Sequence, residues 1–127
     1  RLMGRYEGKE KNILETFLSV CEKAGIKVVV PHRAGSLCCG QVFSSKGYGP
    51  AFRLMADKTI SSLWKASQEG KFTIVIDVSS CAYTLYQLRP ALGPENKVKF
   101  DRMRILDSID FLHELVLPAA VVSTVPL

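Results

Sequence analysis

Between Lys9 and Ala24 the apolar side chains Ile13, Leu14, Phe17, Leu18, Cys21 and Ala24 recur at steps of three and four residues. That spacing makes one stripe on a helix, so an amphipathic helix is predicted here, stopped by Gly25. The next run, Ile26-Lys27-Val28-Val29-Val30, is β-branched and ends at Pro31, which predicts a buried strand. Pro50 suits the first turn of a second helix, with Phe52, Met55, Ala56, Ile60, Leu63 and Trp64 on its apolar face and Gly70 at its end. Phe72-Thr73-Ile74-Val75-Ile76 predicts a second buried strand, closed by Asp77. Val78-Ser79-Ser80-Cys81 reads as a polar turn, and a third helix is predicted from Ala82 to Leu88, before Pro90. Gly93-Pro94-Glu95-Asn96 is a loop, and Met103-Arg104-Ile105-Leu106 a weaker strand. Ser108 is a candidate cap for a last helix carrying Ile109, Leu112 and Leu115, closed by Pro118.

Strands that alternate with helices through short connections predict an α/β fold. The expected architecture is a mostly parallel sheet with flanking helices, Rossmann-like and three-layered. In such sheets ligands sit beyond the carboxyl ends of the strands. Cys38 and Cys39 follow the first predicted strand and Cys81 the second, so two distant segments are expected to bring three cysteines together. Cys21 falls on the apolar stripe of the first helix and is expected to be a core residue, as free cysteine packs well in interiors.

Composition narrows the function classes. The chain has 127 residues, 47% hydrophobic and 23% charged, enough for one domain with a core and unlike a disordered segment. No apolar run approaches the length of a membrane span. The opening, Arg1-Leu2-Met3-Gly4-Arg5, lacks the apolar stretch of a signal peptide and reads as the interior of a longer polypeptide. The net charge of +5 is spread along the chain with no basic tract interleaved with aromatics, so no nucleic-acid partner is expected. Four cysteines are too few for a disulfide scaffold and are not spaced as paired zinc motifs. A reducing, cytoplasmic compartment is the expectation.

The densest chemistry lies in Gly35-Ser36-Leu37-Cys38-Cys39-Gly40. Adjacent cysteines close only a strained disulfide ring, while a glycine after them lets the backbone turn tightly against something bulky. Two thiolates on a glycine loop suit an iron–sulfur cluster, which takes cysteine ligands. Two other readings stay open at this point. One is a thiol–disulfide module in which the vicinal pair forms a transient disulfide. The other is a structural zinc site using Cys38, Cys39, Cys81 and His32, although an exposed loop is the simpler setting for His32. His113, among apolar residues, is expected to be a partly buried packing residue. Phosphatase chemistry is excluded, since the position six residues after each of these three cysteines is Ser44, Ser45 or Gln87 and none is arginine. Gly47-Tyr48-Gly49-Pro50 holds only a fragment of a phosphate-loop pattern.

Leu37-Cys38-Cys39-Gly40, Phe43-Ser44-Ser45-Lys46-Gly47-Tyr48, Asp77-Val78-Ser79-Ser80-Cys81 and Leu106-Asp107-Ser108-Ile109-Asp110-Phe111-Leu112 follow one another in order. Together they resemble the cysteine-rich CCG domain, in the form found at the C-terminal end of bacterial FAD-linked D-lactate dehydrogenases with iron–sulfur centres. Similar domains occur in the iron–sulfur component of glycolate oxidase, in anaerobic glycerol-3-phosphate dehydrogenase and in heterodisulfide reductase. The resemblance spans nearly the whole chain and implies a CCG domain over residues 1–118, with 119–127 a linker or tail. It also implies a lone cysteine upstream of Arg1-Leu2-Met3-Gly4, and a C-x-x-C motif whose first place is Cys81 and whose second place is taken here by Thr84. The chain thus offers three site cysteines where a cubane takes four, so weak or absent cluster binding is expected of it in isolation.

The resemblance implies the following role. A flavin domain elsewhere in the polypeptide takes a hydride from D-lactate or a similar 2-hydroxy acid, and a cluster, 4Fe-4S by expectation, passes electrons on singly. FAD lies outside this chain. Cys38, Cys39 and Cys81 are the implied metal ligands, and Gly40 the implied close-approach residue of the cofactor site, with no catalytic residue in the domain itself. Gly35 and Gly47 would let the loop wrap the cluster, Ser79, Ser80 and Thr84 would tune it, and Lys46 would stabilise its reduced state. The implied partners are the flavin and ferredoxin-like domains of the same polypeptide, a second CCG repeat and a membrane electron acceptor. The implied location is the cytoplasm, peripheral to the inner membrane face.

Overall fold

The computed structural model describes residues 13–122, the last three by their backbone. The chain divides into two compact units, Val30–Leu112 and the segments on either side of it. In the flanking unit, α1 (Ile13–Lys23) forms where the apolar stripe predicted it, and the predicted first turn at residues 9–12 lies outside the described residues. Cys21 on its stripe is fully buried, as expected. Gly25 ends the helix, and the Ile26 N–H reaches back to the Cys21 carbonyl at 2.9 Å.

Residues 26–30 do not form the predicted strand. Val28, Val29 and Val30 are exposed, Val29 to 74%. β-branched residues favour a strand only where a neighbouring strand and a core receive them. The sheet is correspondingly small. β1 (Ile74–Ile76) and β2 (Ile105–Asp107) pair in parallel, Ile74 opposite Ile105 and Ile76 opposite Asp107. Both strands are half-buried, so β1 is less covered than the buried strand expected there. The fold is therefore a mostly helical α/β unit around a two-stranded parallel sheet, and the expected three-layer Rossmann-like sheet is not formed among the described residues.

Within residues 30–112 the order is a 3₁₀ turn at Ala34–Ser36, α2 (Gln41–Ser45), α3 (Gly49–Ala66), β1, α4 (Ser79–Tyr86), a second 3₁₀ turn at Arg89–Ala91, α5 (Pro94–Arg102), β2 and α6 (Ser108–Phe111). α3 is the spine. Ala56, Ile60 and Leu63 on its inner face pack with Leu85, Leu88, Leu92 and Met103 in one core cluster. Thr59 on the same face is buried as well, a polar residue inside an apolar stripe. The Gly93 amide and the Asn96 side chain both donate to Asp57 Oδ1, at 3.1 and 2.8 Å, which ties α5 to α3.

Several boundaries differ from expectation for physical reasons. Pro94, Glu95 and Asn96, expected in a loop, form the first turn of α5 after Gly93, a place where proline's missing N–H costs nothing. α4 begins at Ser79, so Ser79 and Ser80 are its first turn and Cys81 its third residue. Serines suit helix starts as well as turns, which is why the sequence read them as a turn. After β2 the cap is Asp107, not Ser108: its side chain accepts the Ile109 N–H at 2.8 Å. Leu112–Val116 then makes a π-helical turn, and α7 (Leu117–Val122) runs past Pro118. Proline lacks an N–H and crowds the carbonyl four residues back, and a π turn just before it accommodates both effects. His113 in this turn is exposed, not partly buried. No helix among the described residues is long and apolar enough to cross a membrane.

Candidate metal centre

The cysteine doublet sits between the first 3₁₀ turn and α2, not at the end of a strand. Leu37 is in extended conformation, where successive side chains face opposite ways. Leu37 and Cys39 accordingly pack against the core cluster, while Cys38 is exposed. The doublet's two sulfurs thus occupy different surroundings, which disfavours the vicinal disulfide.

Gly40 organises the loop. It is buried, with φ of +81°, a region that L side chains rarely adopt. A Cβ here would stand 3.1 Å from Phe52 Cδ2 and 3.3 Å from Cε2, so the backbone lies directly against the α3 ring. Its carbonyl accepts the Phe43 and Ser44 amides at 2.9 and 3.2 Å and so starts α2. Its own N–H donates to Cys38 Sγ at 3.4 Å. Thr59 donates its hydroxyl to the Cys38 carbonyl at 2.7 Å, anchoring the doublet to α3 from a buried position.

Cys81 arrives from α4. The Cys39 and Cys81 sulfurs stand 3.3 Å apart in a hydrogen bond, both partly buried, joining residues 42 positions apart in sequence. Burial first, then the hydrogen bond to Cys39 and the nearby charges of Cys39, Cys38 and Asp77, push the Cys81 thiol up to about 11. Without a metal, Cys81 is thus a protonated thiol at neutral pH. The carboxyl end of β2 closes this side. The Asp107 amide donates to the Tyr86 hydroxyl at 2.8 Å, which fixes the C-terminal end of α4. The Ser79 hydroxyl and the Ile109 and Asp110 amides hold the Asp107 carboxyl below the usual carboxylate range. Asp107 Oδ2 is buried and accepts no hydrogen bond of good geometry.

The structure thus brings Cys39 and Cys81 together and keeps Cys38 within electrostatic reach. His32 is exposed on its loop, and among the described residues no group of three ligating side chains is positioned to hold an ion. A sulfur separation of 3.3 Å is shorter than the about 3.8 Å of two thiolates on one tetrahedral ion. The donors fit a thiolate-bound centre in kind, two thiols on the glycine-turned loop and one from α4, but they are one short of the four a cubane takes, and this reduced pair must lose protons and open for a metal to enter. Thr59 is the site residue that sequence reasoning missed, and its signal was a polar side chain on the stripe of Ala56, Ile60 and Leu63.

The profile of the CCG cysteine-rich domain matches residues 3–86, about two thirds of the chain. The chain belongs to the CCG cysteine-rich domain family. CCG domains occur in FAD-linked oxidoreductases such as D-lactate dehydrogenases. The match takes in the doublet, Gly40 and Cys81 and stops at the end of α4, so the Leu106–Leu112 segment lies outside it. No curated protein and no solved structure matches the chain.

Proposed function

We propose that this CCG domain is an electron-transfer module that holds an iron–sulfur cluster, 4Fe-4S in type, within a FAD-linked dehydrogenase of D-lactate or a related 2-hydroxy acid. The observation that carries the reading is the meeting of Cys39 and Cys81 across 3.3 Å beside the exposed Cys38, on a loop that Gly40 and Thr59 fix to α3. Family membership supports the same class of redox chemistry.

Cys38, Cys39 and Cys81 would be the ligands, and a cluster bound there supplies one-electron transfer. This chain's residues do the rest. Phe52 and Met55 back the Gly40 turn and exclude water from one side of it. Thr59 holds the doublet in place, and α4 presents Cys81 in its first turn, where the positive end of a helix favours a thiolate. The fourth ligand comes from outside these three cysteines. Flavin and ferredoxin-like domains of the same polypeptide are the proposed partners, in the cytoplasm, where thiols stay reduced.

The test is anaerobic reconstitution of the chain with iron, sulfide and a small thiol able to fill the fourth position. About four irons and four acid-labile sulfides per chain are expected. Cys38→Ser, Cys39→Ser and Cys81→Ser should each lower both counts, while Cys21→Ser leaves them unchanged. Equal counts in all four variants would overturn the reading.

A further inference from the structure

We infer that Cys39 and Cys81 form a reversible disulfide site in the metal-free domain, one that shuts the centre to metal. This goes beyond the cluster reading, because the disulfide needs no cluster to form. All four cysteines are free thiols. From 3.3 Å the two sulfurs need to approach by only about 1.3 Å to reach bonding distance, a movement within reach of side-chain rotation. They come from separate elements, the doublet loop and the first turn of α4, so the bond avoids the strained ring of adjacent residues. Cys38 does not compete well. It is exposed, its sulfur accepts the Gly40 amide, and it does not share the core-facing side of Leu37 and Cys39. Both partners are only partly buried, so a small oxidant can reach them.

The oxidant class is a small-molecule disulfide. The Cys39 thiolate attacks one of its sulfurs, breaking that S–S bond and releasing one small thiolate, which takes up a proton. A mixed disulfide remains on Cys39. The Cys81 sulfur gives up its proton and displaces the second small thiolate, which takes up a proton in turn. Two electrons pass from the protein pair to the small disulfide, and two small thiols leave. Excess small thiol reverses both exchanges. The closed form has lost two of the three thiols of the centre.

The experiment uses the full chain, stripped of metal with a chelator and reduced, then exposed to oxidised glutathione. Free thiols are alkylated and the protein is digested with trypsin for mass spectrometry. The expected product has lost the mass of two hydrogens and yields one cross-linked species joining the peptide with Cys38 and Cys39 to the peptide with Cys81. The cross-link should persist in Cys38→Ser, vanish in Cys39→Ser, and vanish from the unsubstituted chain on reduction. Oxidised chain should take up no zinc until reduced. A disulfide within the doublet peptide, glutathione adducts without a cross-link, or a cross-link lost in Cys38→Ser would each overturn the proposal. None of these outcomes depends on whether iron and sulfide bind.

Discussion

The Thr59 hydroxyl donates to the Cys38 carbonyl at 2.7 Å from a side chain only 3% exposed. This bond connects α3, the longest helix among the described residues, to the cysteine doublet, and no apolar residue of similar shape reproduces it. Thr59→Val leaves a carbonyl without its partner, and we expect a loss of about 1–3 kcal/mol in chemical denaturation. Iron retention after reconstitution should fall with it, because the doublet loses its tether. Unchanged stability would show that water replaces the hydroxyl.

Gly40 and Gly47 both have positive φ, +81° and +75°, but their surroundings differ. A Cβ at Gly40 presses on the Phe52 ring, whereas one at Gly47 meets nothing within 4 Å. Gly47→Ala should therefore cost only the conformational term, about 1–2 kcal/mol. Gly40→Ala should cost more, and combination with Phe52→Leu should recover part of the difference. Thermal denaturation of the three variants measures this directly.

The residues that made the sequence legible here are those whose roles are local. The stripe of α1, the Pro50 start of α3 and the Ile74–Ile76 strand follow from spacing and propensity over a few residues. The doublet and Gly40 were legible because their chemistry is rare. Illegible parts depend on partners distant in sequence. Val28-Val29-Val30 has strand propensity but no strand beside it among the described residues. Thr59 looks like an interruption of an apolar face until the Cys38 carbonyl is placed opposite it. The pairing of Cys39 with Cys81, rather than with its neighbour Cys38, depends on which side of an extended segment meets the core.

The Cys81 thiol, pushed up to about 11 by burial and its neighbours, sets a pH dependence. An unfolded thiol loses its proton near 9.0, before the folded one does. Between 9.0 and about 11 the unfolded chain binds fewer protons, so the stability of the metal-free domain falls as pH rises through that window. Below it, this contribution is fully present. Cys21, raised by burial, acts in the same direction. Denaturation midpoints across the window should fall less steeply in Cys81→Ser than in the unsubstituted chain.

Metal binding must displace that same proton, so affinity should climb with pH below about 11. Zinc titrations of the reduced chain against a competing chelator, at several pH values, give the slope. Cys81→Ser should flatten it, and an equal slope in that variant would assign the released proton elsewhere.

Two carboxylates away from the centre separate structural from superficial charge. Asp57 accepts from the Gly93 amide and from Asn96 between α3 and α5, whereas Asp101 pairs with Arg89 at 2.8 Å on the surface. Asp57→Ala should cost about 1–3 kcal/mol, and Asp101→Ala clearly less, because its exposed ion pair is screened by solvent. Neither should change the number of irons retained by folded protein.

The central claim is that Cys38, Cys39 and Cys81 hold a centre that carries single electrons. The most direct test is electron paramagnetic resonance of the chain reconstituted with iron, sulfide and a small thiol in the fourth position, recorded before and after anaerobic dithionite. The account predicts a signal that appears on reduction by one electron, disappears on reoxidation, and is lost or altered in Cys81→Ser. A silent spectrum in a sample that retains stoichiometric iron and sulfide, or the same signal in Cys81→Ser, would contradict it.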